Sequence, residues 1–123
     1  MKFYHASDHD IKWPDEKQHR MHSDASITGN RALGLFASTM FEGLNVFGEN
    51  LYKFTLHDYA KIQEIPDDLR QPGRCAAYYA GVRDLAQHLG IDAVRVTHKP
   101  DIVSLVVLNF DAIATWEYEG ESS

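Results

Sequence analysis

A histidine and a serine lie two residues apart in the run FYHAS, from Phe3 to Ser7. In a β-strand, residues two apart project from the same face, so His5 and Ser7 can converge on one group. A neutral imidazole donates or accepts a hydrogen bond and a hydroxyl does both, so the pair could hold a ligand hydroxyl. The alternative is a histidine packed under a loop. Asp8 and Asp10 would repel a pyrophosphate that they faced, so we expect turn residues that point away from it.

The histidines also raise the question of a metal site, through His5 with His9 and through His19 with His22. On a strand, a spacing of four residues separates two side chains by about 13 Å, whereas metal ligands lie about 2.1 Å from one ion. We therefore predict no metal. The second pair is interpreted as part of a solvated polar loop.

Composition bounds the class of protein. The chain has 123 residues, 44% of them hydrophobic, which is enough for one core, so we expect residues 1–123 to form a single domain. The formal net charge of −6 argues against direct binding to nucleic acid. A lone cysteine, Cys75, is typical of a reducing compartment. No apolar run is long enough to span a bilayer, and we expect a cytoplasmic protein without a membrane partner.

The hydrophobic pattern predicts an α+β fold rather than repeated βαβ units. The predicted strands are Lys2–Ala6, Arg31–Ser38, Leu51–Leu56, Ala93–Val96, Ile102–Leu108 and Ala114–Tyr118. Helices are expected from Met40 to Phe47 and from Cys75 to Leu89, where Gly90 provides a left-handed C-terminal cap. The strand from Ile102 to Leu108 is almost continuously apolar and is expected to be central and buried.

Two segments are expected to lie outside the regular elements. Residues 11–30 form a long polar loop with one short helical turn after Pro14, a length typical of a lid or a binding loop. Trp13 in that loop, and Trp116 near the C-terminus, are candidate anchors for a lid or a partner. Residues 119–123 are expected to be a polar tail.

Three segments, in this order along the chain, resemble the ADP-ribosyltransferase superfamily. FYHAS resembles the strand signature Tyr-His-Ala-Ser of that family, and GLFASTMFEGLNVFGENLYKFTL resembles the passage that shapes its nicotinamide pocket. HLGIDAVRV followed by SLVVLNFDAI is similar to the closing helix and strands of the family. The resemblance implies a split antiparallel or mixed β-sheet with two or three helices, and a cleft between two half-sheets that binds NAD. Small single-domain members of this kind include bacterial toxins and phage-encoded inhibitors of host defence, among them an anti-CRISPR protein that modifies its target.

The resemblance also implies roles for individual residues. His5 and Ser7 would hold the adenosine-side ribose of NAD, with Ala6 between them in the same binding strand. Phe47, which precedes Gly48, falls where the family has a tyrosine that stacks on nicotinamide; a phenylalanine ring still stacks but offers no hydroxyl. The pocket-lining residues that the resemblance implies are Gly34, Leu35, Phe36 and Ser38.

Ser104 falls where the family has its glutamate, which stabilises the positive charge that develops on the reacting ribose. A serine hydroxyl carries no charge and cannot replace that electrostatic effect. Some branches of the family lack the glutamate and use a carboxylate of the substrate. In this chain Asp101 is the nearest carboxylate in sequence, and Glu42 lies on the predicted pocket helix. The expected catalytic set is therefore His5, Phe47, Ser104 and Asp101.

Two functions follow from this reading. The first is NAD-dependent transfer of one ADP-ribose to a protein target, in the host cytoplasm if the protein is phage-encoded. The second is a catalytically inactive binding protein of the same fold, which blocks a partner by docking its 11–30 loop or its acidic surface. An RNA 2′-phosphotransferase on this scaffold would need additional arginines and histidines that have no clear place here. Phe36, Phe41 and Phe47 are, in the plainest interpretation, core residues.

Overall fold

The computed structural model describes residues 1–15, 34–42, 44, 48–64 and 84–121. In these ranges the chain forms seven strands and a short 3-10 turn at Phe110–Ala112, and residues 84–88 are helical. The strands are β1 (Phe3–Ser7), β2 (Leu35–Ser38), β3 (Asn50–Leu56), β4 (Ile62–Glu64), β5 (Ala93–Lys99), β6 (Ile102–Val107) and β7 (Ile113–Glu121).

All seven strands belong to one mixed sheet in the order β4-β5-β6-β2-β1-β3-β7. The β4–β5 pair is parallel, and the five other neighbouring pairs are antiparallel. The sheet with a helical segment fits the expected α+β class. Of the expected helices, the part at residues 84–88 is seen, whereas residues 43, 45–47 and 65–83 lie outside the described residues.

Each predicted strand has a counterpart, with shifted ends. β5 continues to Lys99 because Lys99 still pairs with Ile102, so the connection to β6 is shorter than expected. β7 runs to Glu121, three residues into the predicted polar tail, because Asn50 and Leu51 pair with Glu121 and Gly120. The short strand β4 was not predicted.

The core lies on both faces of the sheet. One face carries a large cluster around Phe3, Phe54, Leu35 and Leu105, all almost fully buried. The other face carries two smaller clusters, in which Phe36 takes part in both. The predicted central strand β6 lies between β5 and β2, and its residues from Val103 to Val107 are buried, which confirms that prediction.

The helical segment ends as the sequence predicts. Gly90 has a φ of +76°, and its N–H donates to the carbonyl of Gln87, while the N–H of Ile91 donates to the carbonyl of Ala86. A left-handed glycine at this position satisfies carbonyls that the last helical turn leaves unpaired. Among the described residues, no helix is long and apolar enough to cross a membrane.

A glutamate side chain reinforces the pairing of β4 with β5. The Glu64 carboxylate accepts hydrogen bonds from the Thr97 N–H at 3.2 Å and from Arg95 Nε at 2.7 Å. These two hydrogen bonds lower the pKa of Glu64 below its ordinary value, and the bond from Thr97 has the larger effect. Because the pKa of Glu64 is lower in the folded state, its ionised carboxylate stabilises the fold at neutral pH. This stabilisation is lost as the pH falls through the folded-state pKa.

Candidate functional site

The sheet is almost divided between β1 and β2. Residues Phe3 to Ser7 of β1 pair in full register with Phe54 to Asn50 of β3, whereas β1 pairs with β2 only through Tyr4 and Ser38. Antiparallel register from that pair would place residues 5–7 of β1 opposite residues 37–35 of β2, but no further pairs form. We call this interrupted stretch, residues 5–7 against 35–37, the seam.

His5 lies in the seam and its side chain reaches across it. The Nδ1 atom of His5 is 2.6 Å from the carbonyl oxygen of Phe36 in β2. A carbonyl only accepts, so Nδ1 carries a proton, and in a neutral ring Nε2 is then the acceptor. The ring is half-buried, and its centroid lies 6.1 Å from that of Trp116.

Ser7 ends β1 and lies where two loops meet. Its Oγ accepts a hydrogen bond from the His9 N–H at 3.1 Å, which shapes the bend that follows the strand. The Asp8 carboxylate accepts from the Glu49 N–H at 3.2 Å. Gly48 approaches so closely that a Cβ there would overlap the backbone of Ser7 and Asp8. Asp8 is therefore a turn residue, as expected.

Ser104 lies two strands from His5 and on the other face of the sheet. Ser38 pairs with both Tyr4 and Ser104, so these three side chains share one face. His5 is adjacent to Tyr4 in β1 and therefore projects from the opposite face. On that face its ring lies beside Trp116, which packs against the large core cluster. Ser104 is also 7% exposed. The backbones of β1 and β6 are thus separated by one strand, a distance of about 10 Å. The side chains of His5 and Ser104 project from opposite faces of the sheet and do not meet.

The two substitute carboxylates lie near the end of β2 that carries Ser38. Thr39 fixes this end to the start of β6: its N–H donates to the Val103 carbonyl at 3.0 Å, and its Oγ1 accepts from the Val103 N–H at 3.0 Å. The same hydroxyl donates to the carbonyl of Asp101 at 3.1 Å. Glu42 follows Thr39 by three residues and is exposed. The local sequence pattern does not indicate this role of Thr39.

The remaining predicted pocket residues lie in different environments. Leu35 is 1% exposed and packs in the core, so only its backbone is open to a pocket role. Gly34 lies against the carbonyl of Val107, where a Cβ would collide. Ala6 is buried beside Leu51, and Phe36 is half-buried. Phe47 lies outside the described residues, and its stacking role stays a prediction.

Two aromatic residues that sequence reasoning did not assign to the site hold the segment after β1. The Tyr52 hydroxyl donates to the His9 carbonyl at 2.9 Å and accepts from the Ile11 N–H at 2.8 Å. Trp116 Nε1 donates to the Ile11 carbonyl at 2.9 Å. The Tyr52 and Trp116 rings stack with centroids 5.0 Å apart. Burial raises the pKa of Tyr52, so its phenol stays protonated and keeps donating at neutral pH.

Tyr52→Phe is expected to free residues 9–11 from the sheet. The change removes a buried hydroxyl that makes two hydrogen bonds, so we expect a loss of about 1–2 kcal/mol in the free energy of unfolding. Hydrogen exchange at the Ile11 amide should become faster. Tyr59→Phe is the matched control, because Tyr59 is 73% exposed. Unchanged exchange at Ile11 would show that the Tyr52 hydroxyl does not hold this segment.

No group of three or more metal-ligating side chains converges within the described residues. No protein-family model and no curated protein matches the chain.

Proposed function

We propose that this chain adopts an ADP-ribosyltransferase-like fold, binds NAD at the seam and transfers one ADP-ribose to a protein target. The observation that carries the proposal is the placement of His5, in an interruption of the sheet with its Nδ1 fixed by the Phe36 carbonyl. This bond orients Nε2 of the neutral ring as an acceptor for a ribose hydroxyl. Ser7 lies two residues along the same strand and on the same face.

The proposed chemistry breaks the bond between nicotinamide and the C1′ carbon of its ribose, and the bonding electrons leave with nicotinamide. In this scheme His5 and Ser7 hold the other ribose, and Phe47 stacks on nicotinamide. A nucleophile of the target then forms the new bond to C1′. Asp101, Glu42 or a carboxylate of the target would stabilise the positive charge, because such charges interact strongly in a site that excludes water.

A second candidate function is binding without catalysis. The buried Ser104 offers no charge, and its side chain lies on the face opposite His5. A protein that kept the fold without a carboxylate beside the ribose would block its partner by docking alone.

Incubation of the full chain with NAD and candidate target proteins separates these functions. If NAD binds only the folded state, a concentration about tenfold above its Kd adds about 1.4 kcal/mol to stability, or about 4 °C in melting temperature. Intact mass should show one added ADP-ribose on the target. His5→Asn should lose both signals, because an asparagine amide reproduces the Nδ1 donor but not Nε2.

His57→Asn is the matched control, since His57 lies in the turn after β3 and stacks on Tyr59. This variant should keep the melting-temperature shift and the adduct. A shift without an adduct supports the binding protein over the enzyme. Neither shift nor adduct with the unchanged chain overturns NAD binding at the seam.

A further inference from the structure

β7 is a long strand at the edge of the sheet. Seven of its nine residues, Ile113–Glu121, pair with residues of β3, with register shifts at Ala114 and Glu119, and no other described strand pairs with β7. An edge strand presents a row of backbone N–H and C=O groups that another extended chain can pair with. The opposite edge, β4, has only three residues. The geometry therefore offers strand addition at β7 and little of it at β4.

The side chains of β7 alternate between two chemistries. Trp116 and Tyr118 project from one face, where Tyr118 is 59% exposed. Glu117 and Glu119 project from the other face, where the Glu117 side chain is 63% exposed. A strand added beside β7 would place its own side chains next to these in the same alternation. One face of that strand must therefore suit an aromatic ring and the other a pair of carboxylates.

The charge of this edge selects the partner. Lys53 contacts Glu119 at 2.8 Å and Glu117 at 3.6 Å, which leaves two carboxylates for one ammonium group. If two copies of the chain paired their β7 strands antiparallel, centred on Glu117 or Tyr118, glutamates would lie opposite glutamates. Like charges directly opposite each other destabilise a strand pair. The edge thus disfavours a second copy and favours a basic strand.

We propose that β7 binds an extended segment of a protein partner in which Lys or Arg alternates with apolar residues. The partner's backbone pairs with the edge of β7 that no described strand occupies, its basic side chains meet Glu117 and Glu119, and its apolar side chains meet Tyr118. This site lies along the outer edge of β7 and does not rest on NAD binding.

A fluorescein-labelled peptide of nine residues that alternates Lys and Val tests the proposal by anisotropy with the full chain. We expect saturable binding that weakens with salt, and slower hydrogen exchange at amides of β7 when the peptide is bound. Glu117→Lys should weaken binding about tenfold, since it replaces an attractive cross-strand pair by a repulsive one. Asp58→Lys makes the same charge change in the exposed turn after β3 and should alter binding less than about twofold.

A block peptide with the same Lys and Val residues, grouped rather than alternating, is the control for simple charge attraction. Equal binding of the block and alternating peptides, or unchanged exchange in β7, overturns strand addition. A peptide in which Glu replaces Lys should not bind, and its binding overturns the choice of a basic partner. A dimer of the unliganded chain in which hydrogen exchange at amides of β7 is slowed would show that a second copy occupies the edge, and also overturns the proposal.

Discussion

Gly48→Ala is expected to lower the free energy of unfolding by about 3 kcal/mol, the largest loss from any single methyl group added to the described part of the site. An added Cβ at this position would overlap backbone atoms of Ser7 and Asp8 rather than the end of a flexible side chain. Backbone in a paired strand cannot move without breaking its ladder, and Ser7 pairs with Asn50. The β1–β3 junction must therefore open. Urea unfolding followed by circular dichroism measures the loss.

Gly120→Ala is the matched control for this substitution. Gly120 also has a positive φ, of +112°, but a Cβ there would meet nothing within 4 Å. The cost should therefore be only that of the backbone conformation, about 1–2 kcal/mol. Equal losses in the two variants would mean that the collision with β1 is relieved at no cost. If NAD binds at the seam, Gly48→Ala should also reduce its melting-temperature shift, because Ser7 moves with the end of β1.

Local pattern was enough to predict the strands that dominate the core. The apolar run of β6 and the alternation of β3 reflect burial of both faces or of one face of the strand. Burial depends on the side chain of each residue, so it is visible in the local sequence. The short strand β4 has no such pattern. Its residues Ile62–Glu64 form a strand because they pair with Ala93–Arg95, about thirty positions further along the chain, and Glu64 also binds Arg95 and Thr97. Local periodicity does not contain contacts between distant segments.

The candidate site was also predictable only in the features that depend on local sequence. The strand that carries His5 and Ser7, and the shared face of the two residues, followed from a spacing of two. The bond from His5 to Phe36 and the face of Ser104 depend on how β1, β2 and β6 pair, which is set by register rather than by the sequence of any one strand. For the same reason the hold of Tyr52 on Ile11 was not predicted, and Trp116 was expected only in general terms, as an anchor for a lid or a partner. An aromatic pattern in β3 and β7 indicates which faces are buried, but not which loop crosses them.

His5→Ala and His5→Asn together separate the structural role of His5 from its role toward a ligand. Alanine removes the hydrogen bond from Nδ1 to the Phe36 carbonyl and leaves a gap beside Trp116, so we expect a loss of about 2–3 kcal/mol in the free energy of unfolding. Asparagine places an amide N–H close to the position of Nδ1, and we expect a loss of about 1 kcal/mol or less. Thermal and urea unfolding without ligand measure both values.

Addition of NAD to the same two variants completes the test. If Nε2 binds the ribose, His5→Asn is nearly as stable as the unchanged chain and yet shows no melting-temperature shift with NAD, because only the ligand-facing nitrogen is missing. If His5→Asn keeps the full shift, Nε2 takes no part in binding, and His5 acts only as the donor that spans the seam. If both variants are destabilised equally, the bond to Phe36 does not account for the position of the ring. The stability of the two variants reports the hydrogen bond across the seam, and the shift with NAD reports the other side of the same imidazole.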